Sequence, residues 1–193
     1  MKSSSKKLLL VVATFFCLLV GLGGTWLWYF NHYVHLHCIK QVSLTFRLYS
    51  SDHQGQLPFS TNGFGNALLL LVKEDLTGIN TFCGPDDDGH IFKEALQNNS
   101  IVPEDQCSRV YIQGLSDTND PEICVLFDRN SCRGGDHGRS PWRPRVRELC
   151  LLDGSMQVIR DEAWPEFSRK QVELLVAAGF ARTNALHFYR TAK

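Results

Sequence analysis

Apolar residues run without a single charge from Leu8 to Phe30, and the pattern then changes to one apolar position every three or four residues. The first stretch holds 23 residues and would reach about 35 Å as a helix, enough to cross a hydrocarbon core of about 30 Å with some tilt. Beyond it, Val34, Cys38, Val42, Thr45 or Phe46, and Tyr49 form an apolar stripe, with Lys40, Ser43 and Arg47 on other faces. The pattern predicts one helix from about Leu8 to Ser50, ended by the breaker-rich segment Ser50 to Pro58. Phe46, Leu48 or Tyr49 should be buried on whatever covers the stripe.

Periodicity is shorter-ranged downstream. Gly65 to Lys73 reads as a second helix, too short to span a bilayer and so buried against the first. Thr77 to Gly89 reads as a loop, followed by a brief helix over His90 to Leu96. Strand character begins at Arg109 to Ile112 and returns at Ile123 to Phe127, while Ser131 to Arg145, with its Gly and Pro residues, reads as an irregular connection. The segments 148–152 and 155–159 flank Asp153-Gly154, a pair suited to the positive φ of a hairpin turn. Pro165 opens a last helix that turns Phe167, Leu174, Leu175 and Ala178 inward and stops at Gly179. The residues from Arg182 carry no assignment.

Charge orients the apolar run. Lys2, Lys6 and Lys7 precede it and no acidic residue occurs in the first 30, which places the N-terminus in the cytoplasm and the rest outside. A cleaved signal peptide is the competing reading, but Gly21 to Trp26 offers no small-x-small cleavage site. The reading preferred is a single-pass anchor in the inner (cytoplasmic) membrane with its C-terminal domain in the periplasm or outside. The organisation is then a cytoplasmic N-terminus at 1–7, a transmembrane helix at 8–30, an extracytoplasmic domain at 31–181 and a tail at 182–193. All 20 acidic residues and 17 of the 20 Lys and Arg fall after residue 30, so the outer domain is near neutral and no basic stripe points to nucleic acid.

Six of the seven cysteines lie outside the apolar run, a number that suits disulfides in an oxidising compartment, and no C-x-x-C pair suggests a metal. Cys83 and Cys107 are the preferred pair because they bracket one loop-and-helix excursion. Closing roughly 25 residues would stabilise by about 3 kcal/mol.

In order and spacing, several segments resemble one family. Cys38 to Pro58, with Tyr49, Asp52, Gly55 and Pro58, is similar to the segment after the membrane helix in type II secretion pseudopilin-like (prepilin-type) proteins. Cys83-Gly84-Pro85-Asp86 is similar to the family's Cys-Pro-x-Asp loop, with one glycine inserted. Tyr111 to Leu115 resembles its Y-x-x-G-L strand exit. Val125 to Asp128, His137-Gly138 and Leu151 to Met156 resemble its closing strand-Asp, His-Gly and Asp-Gly hairpin pattern. The resemblance implies an α+β, pilin-like fold, in which a long N-terminal helix, part transmembrane, packs on a small antiparallel sheet. It also implies partners among other pseudopilins or secretion-system proteins. One departure stands out: no Glu precedes residue 74 and no Gly-Phe pair precedes the apolar run, so the prepilin cleavage motif is missing.

Two clusters could carry chemistry. Asp86-Asp87-Asp88 offers hard oxygen ligands for Ca²⁺, but consecutive aspartates point different ways, and a solvated loop with Asp88 capping the next helix is preferred. Asp128, Asp136, His137 and Asp153 could converge to hold a metal, with Asp128, His137 and Asp153 the candidate ligands. The alternative is that Asp128 and Asp153 make turn hydrogen bonds and His137 packs on the hairpin. His32, His35 and His37 sit near the membrane exit, with 32 and 35 sharing a helix face, and are read as interfacial histidines rather than ligands. No catalytic residue and no cofactor is assigned. The expected role is structural or in assembly, with a stand-alone binding module as the alternative and a metal-dependent hydrolase as a third reading.

Overall fold

A computed structural model describes residues 12–26, 36–84, 89–133 and 144–190. The chain divides into two compact units, Met1–His35 and Leu36–Lys193. In the first, residues 12–26 form helix α1, and its large side chains Val12, Phe15, Phe16, Leu18, Leu19, Val20, Leu22 and Trp26 are all more than half exposed. Among the described residues, no helix is long and apolar enough to cross a membrane. The expected spanning helix over 8–30 is therefore not met there: α1 covers 15 residues, or about 22 Å. The remainder of the run, and the junction 31–35 that would join it to the next helix, lie outside the described residues.

The second unit is α+β. Its elements are α2 (Leu36–Asp52), α3 (Phe64–Lys73), a 3₁₀ turn (Ile79–Phe82), α4 (His90–Asn98), a 3₁₀ turn (Glu104–Gln106), β1 (Arg109–Tyr111), β2 (Cys124–Asp128), β3 (Cys132–Arg133), β4 (Arg145–Leu151), β5 (Met156–Arg160), α5 (Trp164–Ala177) and α6 (Arg182–Arg190). Helix α2 stops where Gly55, at φ +81°, donates its N–H to the Ser50 carbonyl at 2.8 Å, closing the C-terminal turn.

All strand pairs are antiparallel. β1 pairs β2 with Arg109 opposite Asp128, and β2 pairs β4 with Phe127 opposite Leu149. β3 meets β4 only at Val146 and Arg145, so β2 and β3 share one edge of β4 while β5 occupies the other. Cys124 and Leu126 pair with the adjacent residues Leu151 and Cys150, which makes Val125 the extra residue of a bulge. All five residues of β2 are buried because both sheet faces are covered. On one face Phe46 of α2 stacks on Tyr111. On the other, Phe127 packs against Trp164 of α5 and Tyr189 of α6, with ring centroids 5.2 and 5.1 Å away.

The expected stripe on α2 is found in Val42, Thr45, Phe46 and Tyr49, joined by Ile39. Of the three positions Phe46, Leu48 or Tyr49, Phe46 and Tyr49 are the buried ones; Leu48 is 46% exposed and Leu44 59%. Three further differences concern the second half of the chain. β4 begins at Arg145 and β3 forms within what reads as an irregular connection. The hairpin turn places only Gly154, at φ +82°, in the left-handed region. The segment set apart as a tail is largely helix α6, whose Ala185 and Tyr189, one turn apart, are buried in the core.

Candidate functional site

Helix α2 packs on the sheet along a well-defined seam. Polar side chains on α2 hold the hairpin turn: the Ser43 hydroxyl donates to the Gly154 carbonyl at 3.1 Å, and Arg47 donates to the Asp153 carbonyl. A Cβ at Gly154 would lie 2.5 Å from the Ser43 Oγ and 2.8 Å from the Arg47 guanidinium, so glycine is required by the contact as well as by φ. Further along, the Phe46 and Tyr111 rings are 5.1 Å apart at 26°, and the Tyr111 hydroxyl donates to the Pro58 carbonyl at 2.9 Å. Burial pushes the Tyr111 phenol well above its ordinary pKa, so it stays a neutral donor. Lys40, Gln41, Leu44 and Leu48 of α2 are exposed to solvent.

Asp128 and Asp153 do not converge. Asp128 is 1% exposed and belongs to a charge network at one end of the sheet. Its Oδ1 lies 3.2 Å from the Nε of the fully buried Arg109, and its Oδ2 accepts the Glu148 N–H at 2.9 Å. Arg109 also donates to the Thr81 carbonyl at 2.8 Å. On the opposite face of β4, Arg147 lies 4.8 Å from the Trp164 ring centroid and donates to the Arg129 carbonyl. Burial lowers its pKa, against the opposing pull of Asp161 and Asp128. Asp161 accepts from Ser131 at 2.6 Å, and Ser131 in turn accepts from Arg145 at 2.9 Å.

Whereas Asp128 bonds to Glu148 in the middle of β4, Asp153 sits in the hairpin turn past Leu151, the last residue of that strand. Its carboxylate accepts the Ser155 N–H at 2.7 Å, and its bonds to Ser155 hold its pKa below the usual range. Both aspartates therefore make fold-supporting hydrogen bonds. His137, Asp136 and Asp86-Asp87-Asp88 lie outside the described residues, as do His32 and His35. Among the described residues, no group of three or more His, Cys, Asp or Glu is placed to hold a metal.

Cys83 and Cys107 are both buried, yet no disulfide joins them; their sulfurs donate to the Ile79 and Pro103 carbonyls at 3.4 and 3.5 Å. Cys124 and Cys150 are buried in the sheet. Burial pushes the Cys150 thiol up to about 12, the Ser43 contact offsetting part of the effect, and lifts Cys124 well above its ordinary value. Neither has the lowered pKa of a reactive thiol.

Sequence reasoning missed Arg109, Arg147 and Glu148 as buried groups. The available signal was that each sits in a strand beside an apolar residue, Val110, Val146 or Leu149, and that Asp128 ends the strand that pairs with both β1 and β4. No family model, curated protein or solved structure matches the chain.

Proposed function

We propose that the chain is a membrane-anchored, extracytoplasmic pseudopilin-like protein with a structural or assembly role. It would sit in the inner membrane by a single pass, N-terminus inside, with the helix over 8–30 as anchor. The observation that carries the reading is the α2 seam: a helix laid on an antiparallel sheet by Phe46, Tyr49 and the Ser43 and Arg47 bonds to the hairpin turn. This is the arrangement the pilin-like resemblance implies. The exposure of every large side chain on α1 supports the anchor, since a helix apolar on all sides needs lipid or protein around it. Other pseudopilins or secretion-system proteins are the partners of this reading. No catalytic role is assigned, because Asp128 and Asp153 are tied into separate hydrogen-bond sets.

Assembly is limited by what the sequence lacks. Residues 8–30 hold no Asp or Glu, so the apolar run offers no carboxylate to pair with a neighbouring subunit and set the stagger between membrane helices. The protein would then not polymerise alone, and would join a pseudopilus only as a minor component or act as a stand-alone module. Co-expression with a functioning prepilin peptidase tests this. Full-length, membrane-bound protein is expected, and sheared filaments made of processed protein would reject the reading.

A further inference from the structure

Where α2 ends, its last turn and the following segment enclose an open groove of about 620 Å³, within the size range of small-ligand sites. Tyr49, Asp52, His53, Gln54, Gln56 and Phe59 line it. Phe59 is 56% exposed, although it does not lie on a loose loop. On one side of it the Pro58 carbonyl accepts from buried Tyr111 at 2.9 Å, and on the other the Ser60 N–H donates to Gln113 at 3.1 Å. The opposite wall is fixed as well. The Leu57 N–H donates to the Leu115 carbonyl at 3.1 Å, and the Asp117 N–H to the Gly55 carbonyl at 2.9 Å. His53 stacks flat on Tyr49, with centroids 3.7 Å apart at 3°, and its Nε2 lies 3.8 Å from Glu74.

The groove thus holds a flat apolar ring on a preset backbone, ringed by two side-chain amides, an imidazole and a carboxylate. We propose that it binds a saccharide, with the apolar face of a sugar ring on Phe59 and the hydroxyls bonded to Gln54, Gln56 and Asp52. Sugar hydroxyls both donate and accept, which amide pairs match and which a carboxylate completes as an acceptor. No Lys or Arg lines the groove, so a phosphate or other anion finds no counter-charge. A cation would find one carboxylate in the lining, Asp52, among otherwise neutral side chains.

The test uses the full chain in phospholipid nanodiscs, titrated with cellobiose, maltose and chitobiose and followed by saturation-transfer NMR. At least one sugar is expected to bind saturably in the millimolar range, about −4 kcal/mol. Phe59→Ala should weaken it by roughly tenfold or more, about 1.4 kcal/mol. Phe59→Tyr should retain binding, and Val158→Ala, at an exposed apolar site on β5, should leave it unchanged. Absence of saturable binding by all three sugars, sugar binding untouched by Phe59→Ala, or binding of tetramethylammonium in their place would overturn the proposal.

Discussion

Removing the Asp128 carboxylate should unfold much of what holds the sheet to the 3₁₀ turn beneath it. Arg109 is wholly buried and Asp128 nearly so, with Nε and Oδ1 3.2 Å apart. Asp128→Ala leaves the guanidinium in a low-dielectric site without that carboxylate, and breaking a buried pair in this way costs about 3–5 kcal/mol. The Glu148 N–H loses its acceptor too, a loss worth about 1–3 kcal/mol that overlaps with the first and does not simply add. The expected change is therefore about 3–5 kcal/mol, a large part of the roughly 5–15 kcal/mol that stabilises a typical protein. At about 2–4 °C per kcal/mol for a chain of this size, the melting temperature should fall by roughly 10 °C. Circular dichroism followed against urea gives the free energy, and followed against temperature gives the melting point. Replacing the pair together, Arg109→Met with Asp128→Leu, should recover most of the loss because no charge is left stranded. A single-variant change below about 1 kcal/mol would refute the reasoning, as would a double variant no more stable than Asp128→Ala.

Other outcomes follow from the seam and the core. Phe46→Ala, which empties a nearly enclosed site against Tyr111, should cost about 3–5 kcal/mol in the same assay, whereas Leu48→Ala should cost less than about 1 kcal/mol. Gly154→Ala should destabilise by more than about 1 kcal/mol, since the new Cβ meets Ser43 and Arg47 at a left-handed φ; an unchanged midpoint would mean that the hairpin turn is not docked on α2. The pH dependence has a definite sign. The folded state raises the Cys150 pKa from 9.0 to about 12, so it binds the thiol proton more tightly than the unfolded chain. That contribution is complete below pH 9 and is lost as the pH rises toward 12, and Cys150→Ala should flatten this part of the stability profile.

The parts of the fold that could be read from the sequence are those with a strong local signal. The α2 stripe, the apolar run of α3, the Asp-Gly turn and the Pro165 helix start each follow from spacing or turn chemistry, and all appear near their expected bounds. Helix α6 escaped because its burial rests on Ala185 and Tyr189, two positions in a segment otherwise rich in polar residues. Arg109, Arg147 and Glu148 escaped for a different reason. A charge in a strand reads as solvent-facing unless the strand is known to be covered on both faces; α5 covers Arg147 from later in the chain, and the 3₁₀ turn at Thr81 covers Arg109 from earlier in it. Asp128 and Asp153 are kept apart by register: Asp128 bonds to Glu148 in the middle of β4 and Asp153 sits in the turn past Leu151, a separation set by strand pairing that residue spacing does not reveal.

The central claim is that the Leu36–Lys193 unit is held outside the cytoplasm by an uncleaved N-terminal anchor. Protease protection with mass spectrometry tests it most directly, comparing intact spheroplasts with inverted inner-membrane vesicles and reading the fragments left in the membrane. The account predicts that protease removes the C-terminal domain from spheroplasts and leaves a membrane-bound peptide containing Trp26 and Trp28, while inverted vesicles protect the domain. A mature N-terminus beyond residue 24, release of the whole chain by alkaline carbonate, or digestion of the domain only in inverted vesicles would contradict it.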